Sequence, residues 1–159
     1  MATAVFYYSF GGNCALAAQA LAQKLGTTTA EIAERKKRTK INFASMGFQA
    51  ALGLRSRLAT DPAAQAAAYD TLHVLTPIWA GNMTPAVRAF LTGGGLKGKR
   101  VALYAVMADP SLNVDKIATS ARKIVEAAGG TLVAVHGLQG GAPGKDIRAQ
   151  LAQDIAALQ

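Results

Sequence analysis

Short apolar runs alternate along the chain with longer segments in which apolar residues recur every three or four positions. The runs predict five buried strands, at residues 3–8, 28–32, 71–75, 100–106 and 131–135. The periodic segments between them predict helices, because residues three or four apart share one helical face. Strands that alternate with helices predict an α/β fold, a three-layer α/β/α sandwich around a five-stranded parallel sheet. No linker is long enough to divide residues 1–159, so we expect a single domain.

Residues 34–60 have the least regular pattern. Gly47 and Gly53 are expected to interrupt any helix in this segment. Phe43, Met46 and Phe48 are apolar residues that follow the second strand. They could form ordinary cover for the core, which we favour, or a flap over a bound ligand.

The composition is that of a globular protein, since 51% of the 159 residues are hydrophobic and only 16% are charged. No apolar run reaches the roughly 18 residues that a membrane span needs. The single cysteine, Cys14, excludes an internal disulfide, and two histidines are too few for most zinc or iron sites. With no signal peptide visible at the N-terminus, these features predict a cytoplasmic location and no metal site.

The net charge is +8, and much of it lies in one short stretch that contains Arg35, Lys36, Lys37, Arg38 and Lys40. A basic protein attracts phosphate ligands, acidic proteins and nucleic acid. We interpret the stretch as a solvated basic loop. Nucleic-acid binding is not favoured, because no aromatic residues are interleaved with the charge and no known binding module is visible.

The loops at the carboxyl ends of the predicted strands are the candidate binding site, because ligands of open α/β sheets bind there. The first loop is Ser9-Phe10-Gly11-Gly12-Asn13-Cys14, between a strand and a helix. Its glycines allow backbone N–H groups to converge on a phosphate, and the helix amino end adds partial positive charge. Ser9 and Asn13 could add side-chain hydrogen bonds. A tight turn without a ligand remains the alternative, and the spacing is neither that of a P-loop nor that of a dinucleotide fingerprint.

Two further loops are expected at the same edge. Residues 76–83 contain the only tryptophan, Trp79, between a proline and a glycine. An indole at a strand end is well placed to stack on a flat ring, although an exposed Trp at a partner interface is the alternative. Residues 107–109 follow the fourth strand and could line the same pocket.

Together these segments resemble the flavodoxin family. Residues 5–14 are similar to its first strand followed by Ser-x-Thr-Gly-Asn-Thr, and Tyr69-Asp70 with residues 76–83 resembles its Tyr-Asp…Gly-Thr-Pro-x-Trp/Tyr-x-Gly segment. Residues 96–103 resemble its Leu-Lys-Gly-Lys-x-Val run. The triplet Gly81-Asn82-Met83 is also similar to flavodoxin-like NAD(P)H:quinone reductases.

The resemblance implies strand order 2-1-3-4-5 and flavin mononucleotide (FMN) as cofactor. It implies electron transfer or FMN-dependent oxidoreductase chemistry, with a redox partner protein or a small quinone-like substrate, and a possible homodimer. No catalytic residue is identified. The implied cofactor-binding residues are Ser9, Phe10, Gly11, Gly12, Asn13, Cys14, Pro77, Ile78, Trp79, Ala80, Gly81, Asn82, Met83, Met107, Ala108 and Asp109.

Three departures from the family pattern qualify the resemblance. Gly11 and Cys14 stand where the family has threonines, which removes hydroxyl donors and predicts weaker FMN binding. Residues 107–110 replace a glycine-rich turn, and the chain is basic where the small electron carriers tend to be acidic. The alternative function is therefore a flavodoxin-fold interaction module that has lost FMN.

Overall fold

The computed structural model describes residues 1–39, 43–93, 95–109, 111, 113–140 and 147–158. The strands are β1 (Thr3–Tyr7), β2 (Thr29–Glu31), β3 (Thr71–Trp79), β4 (Asn82–Met83), β5 (Arg100–Met107) and β6 (Thr131–Gln139). The helices are α1 (Asn13–Leu25), α2 (Phe43–Ala51), α3 (Pro62–Ala66), α4 (Pro85–Thr92), α5 (Val114–Ala127) and α6 (Arg148–Ala156). Among the described residues, no helix has the length and apolar character to cross a bilayer.

The main strands form a parallel sheet in the order β2-β1-β3-β5-β6, and β4 pairs antiparallel with β3. With β4 set aside, this is the predicted order 2-1-3-4-5, so the predicted fold class is confirmed. The expected count of five strands is wrong, because the short β4 makes the described sheet six-stranded.

The extra strand arises because β3 is longer than its sequence pattern indicated. Thr76-Pro77 was expected to begin a loop, yet Pro77 remains in register opposite Val106 of β5 and the strand continues to Trp79. Ala80 (φ 48°) and Gly81 (φ 72°) then turn the chain back. Two consecutive residues with positive φ form the tight turn that suits a two-residue hairpin. The indole therefore lies at the end of a strand and not within a loop.

Helices cover both faces of the sheet because side chains alternate along its strands. Along β5, Leu103 packs under α4 and α5, whereas Tyr104 packs under α1 and α6. The first of these core layers includes Phe6 and Phe90, whose ring centroids are 4.9 Å apart.

The expectation that glycine breaks the helix after β2 is wrong for Gly47 and holds for Gly53. Helix α2 runs through Gly47, while Gly53 (φ 66°) lies just beyond its last residue. An interior glycine costs a helix only about 1 kcal/mol. Met46 and Ala50 of the same helix are almost completely buried, and this burial outweighs that cost.

Candidate functional site

The turn after β1 leaves the amino end of α1 open. Gly12 is the N-cap residue, with φ 94°, and no side chain caps the helix. The first amides of a helix have no intrahelical acceptor, so here they are free to meet a ligand. Gly11 and Gly12 are exposed, and no atom lies within 4 Å of the position that a Cβ would take on either. The turn is thus an open cradle of backbone donors.

Ser9 supports this turn from its first position. Its Oγ accepts a hydrogen bond from the Gly12 amide at 3.1 Å, which fixes the shape of the turn. A hydroxyl that accepts one bond still has its own hydrogen to donate. The Ser9 hydroxyl hydrogen is therefore available to an anion, and a ligand contact by Ser9 stays a prediction.

The side chains of Asn13 and Cys14 are directed elsewhere. The Asn13 Nδ2 group donates to the carbonyl of Gly140, which ties the turn to the end of β6. Cys14 is buried in the core beneath α1, and burial raises the pKa of its thiol. A neutral, enclosed thiol behaves as a small core residue, so both positions would serve a ligand through their backbone amides.

Trp79 lies beside this turn in a cluster of aromatic rings. Its ring makes edge-to-face contacts with Tyr8, at a centroid distance of 5.8 Å, and with Phe10, at 5.9 Å. Phe10 belongs to the turn after β1 and Trp79 to the end of β3. The structure therefore brings these two predicted segments together at the carboxyl edge of the sheet.

One side of the indole is covered by a cation that the sequence interpretation did not include. The Arg38 guanidinium carbon is 5.5 Å from the Trp79 ring centroid. Its Nε and Nη2 donate to the Glu34 carboxylate at 2.8–3.0 Å, and Nη1 donates to Gln49 at 3.0 Å. Residues 34–38 are not helical, so the spacing of four residues between Glu34 and Arg38 gave no signal for this pair.

The pair is part of a larger hydrogen-bond network around the Glu34 carboxylate. Tyr8 donates its hydroxyl to Glu34 at 2.9 Å, and Ser56 also donates to Glu34. Burial lowers the pKa of Arg38, but its bonds to Glu34 and attraction to that carboxylate outweigh burial, so the pKa is raised overall. Burial and the neighbouring Glu34 charge raise the pKa of Tyr8. Arg38 is consequently a permanent cation beside the indole.

A cavity of about 230 Å³ opens between the turn and Arg38. Tyr8, Ser9 and Phe10 line one side, and Glu34, Lys37 and Arg38 line the other. Small-molecule sites usually enclose about 300–1,000 Å³, so this cavity has room for part of a cofactor.

The hairpin formed by the end of β3 and by β4 exposes some of the predicted residues and buries others. Pro77, Ile78, Gly81 and Asn82 are half-buried and Ala80 is exposed, whereas Met83 lies in the core. The Asn82 amide group donates to the Ala80 carbonyl at 3.1 Å and stabilises the turn. Any ligand contact by Met83 is therefore limited to its backbone.

The third predicted segment also lies at this edge, next to the end of β6. The Met107 side chain is buried in the core, while Ala108 and Asp109 are exposed. Asp109 accepts two hydrogen bonds from Ser111, at 2.7 and 2.8 Å, which lower the pKa of its carboxyl. Gln139 donates to the Ala108 carbonyl at 3.2 Å.

No protein-family model and no curated protein matches this sequence. Solved structures do match. A candidate flavoprotein from Bacteroides eggerthii is 23% identical, with a TM-score of 0.73 and 99% of each chain covered. A flavoprotein from Lactobacillus acidophilus in complex with FMN is 14% identical, with a TM-score of 0.67 over 86% of this chain and 92% of that chain. A WrbA-like flavodoxin from Agrobacterium tumefaciens is 19% identical, with a TM-score of 0.60 over 97% and 92%. The predicted resemblance is thus confirmed at the level of structure: the chain has the flavodoxin-like fold.

Proposed function

We propose that this protein binds FMN and uses it in electron transfer or as an FMN-dependent oxidoreductase. The observation that carries the proposal is the open amino end of α1, next to an indole at the same edge of the sheet. A phosphate monoester carries about −1.5 to −2 charges at neutral pH, which suits a ring of amide donors. The flavodoxin-like fold, and the FMN complex of the Lactobacillus acidophilus flavoprotein, support the choice of ligand.

The phosphate would be held by the turn after β1. Backbone amides of Gly11, Asn13 and Cys14 and the hydroxyl of Ser9 are the donors that this turn can offer. The partial positive charge at the helix amino end adds to them, and the first turn of α1 contains no acidic residue to repel an anion. Because no Cβ occupies the cradle, the backbone can approach the phosphate oxygens closely.

The flavin ring would lie against the aromatic cluster. Trp79 supplies an indole for stacking, and the hairpin turn at Ala80 and Gly81 places backbone groups beside it. Arg38 lies over one side of the indole, so the flavin ring would either stack on the opposite side of the indole or displace the guanidinium. In both cases the Arg38 cation would stay close to the flavin ring and stabilise negative charge on it.

The bound flavin would supply the capacity to accept and release electrons, while the protein supplies position and electrostatics. A redox partner protein and a small quinone-like acceptor are the two kinds of electron partner that fit. A carrier exposes only one edge of its flavin, whereas a reductase needs space for a second ring. An NAD(P)H-dependent quinone reduction assay on FMN-loaded protein separates them, since a carrier shows no turnover.

Fluorescence titration tests the proposal, because binding beside Trp79 should quench flavin emission. We expect saturable quenching with FMN and at least about tenfold weaker binding of riboflavin, which lacks the phosphate and its charged hydrogen bonds. Ser9→Ala should weaken FMN binding more than Ser120→Ala, a matched change in the middle of α5. Absence of FMN binding would overturn the proposal and favour the interaction module.

A further inference from the structure

Two basic segments that are far apart in the sequence meet in the fold. Glu34 and Leu58 form an isolated antiparallel bridge. On either side of it, the Arg35 amide donates to the Arg57 carbonyl at 2.9 Å, and the Ala59 amide donates to the Ala33 carbonyl at 2.8 Å. The basic run after β2 is thereby placed beside Arg55 and Arg57.

The result is a basic cavity of about 380 Å³, defined by Arg35, Lys36, Lys37, Arg38, Arg55 and Arg57. The acidic residue among its described lining is Glu34, whose carboxylate already binds Arg38, Tyr8 and Ser56. The other basic side chains of the cavity are exposed, and none forms an ion pair within the part of the chain that the structure describes. Like charges held this close repel one another, and a bound anion would relieve the repulsion.

We propose that the basic cavity binds a small molecule that carries two or more phosphate groups. Its volume lies within the range of small-molecule sites, and it is concave. Guanidinium groups bind phosphate through paired N–H donors, and the cavity offers them from both segments, at Arg35 and at Arg55 and Arg57. No described residue of its lining is aromatic, so it lacks the stacking platform that single-stranded nucleic acid would use.

This site is distinct from the proposed FMN cradle. Gly11, Gly12 and Asn13 do not line the basic cavity. The two sites are neighbours, because Lys37 and Arg38 also line the smaller cavity next to Ser9 and Phe10. An anion that attracts Arg38 would change the surroundings of Trp79, and Trp79 is the only tryptophan in the chain. Its emission therefore reports binding without any flavin.

Equilibrium dialysis of flavin-free protein against labelled inorganic pyrophosphate tests the proposal, with sulfate at matched ionic strength as the comparison anion. We expect saturable pyrophosphate binding, at least about tenfold tighter than sulfate, together with a change in Trp79 emission. Arg55→Gln with Arg57→Gln should weaken pyrophosphate binding by about tenfold or more, because charged hydrogen bonds to the phosphates are lost. Both side chains are exposed, and thermal melts verify that the variant folds.

The matched control is Lys116→Gln with Lys123→Gln on α5, which removes the same charge from exposed positions outside the cavity. This control should leave pyrophosphate affinity unchanged. Equal losses in the two double variants would show a net-charge effect and overturn the proposal. Binding no tighter than that of sulfate, or tighter binding of a short RNA with the same number of phosphates, would also overturn it. The Arg55, Arg57 variant leaves the turn at residues 9–14 unchanged, so pyrophosphate binding that this variant does not weaken would belong to the proposed FMN cradle and would overturn the proposal.

Discussion

At the scale of single residues, Arg38 connects the stability of the site to its electrostatics. It contacts the Trp79 ring and forms bidentate hydrogen bonds with Glu34, and both side chains of the ion pair are largely buried, with exposures of 14% and 6%. When one partner of a buried pair is removed, the other charge remains without compensation. Breaking the ion pair is therefore costly, and the pair holds residues 34–38 in this conformation.

Arg38→Met should destabilise the protein by about 3 kcal/mol, because it leaves the Glu34 carboxylate enclosed without its cation. Urea denaturation measures the loss. The control is Arg122→Met, which breaks a pair with Glu126 that is more than half exposed on both sides and should cost no more than about 0.5 kcal/mol. Equal losses in the two variants would contradict this account of the Arg38 pair.

Residue chemistry predicted part of the candidate site and missed part of it. Ser9, Gly12 and Trp79 were recognised because their residue types suit a phosphate turn and a ring contact, and the structure places them together. Arg38 and Tyr8 were missed, because their role depends on a fold that directs both toward Glu34. The sequence shows only that Arg38 lies in a basic run.

At the scale of elements, α2 shows how burial overrides local propensity. Its glycine lies in mid-helix, and a Cβ there would be 3.9 Å from that of Ala80, an ordinary contact. Gly47→Ala should therefore raise the free energy of unfolding by about 0.5–1 kcal/mol, the usual penalty of an interior glycine. Gly93→Ala should have the opposite effect, because its Cβ would be 2.6 Å from the Pro62 side chain. Thermal melts of both variants measure whether each change stabilises or destabilises the protein. Destabilisation by Gly47→Ala would show that the helix is strained at this point.

The neighbouring strands β3, β5 and β6 carry a stack of rings on the face covered by α1 and α6. Tyr104 lies between His73 and His136, with centroid distances of 5.7 and 5.1 Å, and its hydroxyl is 2.8 Å from His73 Nδ1. Burial lowers the pKa of both histidines, and for His73 the nearby His136 lowers it further. Burial also raises the pKa of Tyr104 to about 12.

These shifts predict that the stack makes the protein less stable in mild acid. Below the unfolded histidine pKa of about 6.5, the unfolded chain binds protons that the folded chain does not yet bind, so stability falls with decreasing pH. The loss accumulates between that value and the lower folded pKa values. Replacing His73 and His136 with Gln should reduce the drop in unfolding free energy between about pH 7.5 and 5.5. Urea denaturation at each pH measures the unfolding free energy. An unchanged drop in the variant would contradict the claim that the two histidines cause the loss of stability in mild acid.

At the scale of the whole molecule, the alternation of strands and helices was sufficient to predict the layers, while the strand order came from the resemblance to flavodoxins. The ends of β3 and β6 were not predicted, because Thr76-Pro77 and the glycine after His136 are typical loop residues. Pairing with β5 extends both strands, since a ladder of sheet hydrogen bonds outweighs weak local preferences. The basic cavity could not be read from the sequence either, because it depends on the bridge between Glu34 and Leu58.

Amide NMR shifts during an FMN titration would show whether the amino end of α1 holds a phosphate beside Trp79. We expect the largest shifts at the amides of residues 11–15 and at the Trp79 indole N–H, and we expect them to saturate with added FMN. Shifts confined to the basic cavity around Arg35 and Arg57, or none anywhere, would contradict this expectation.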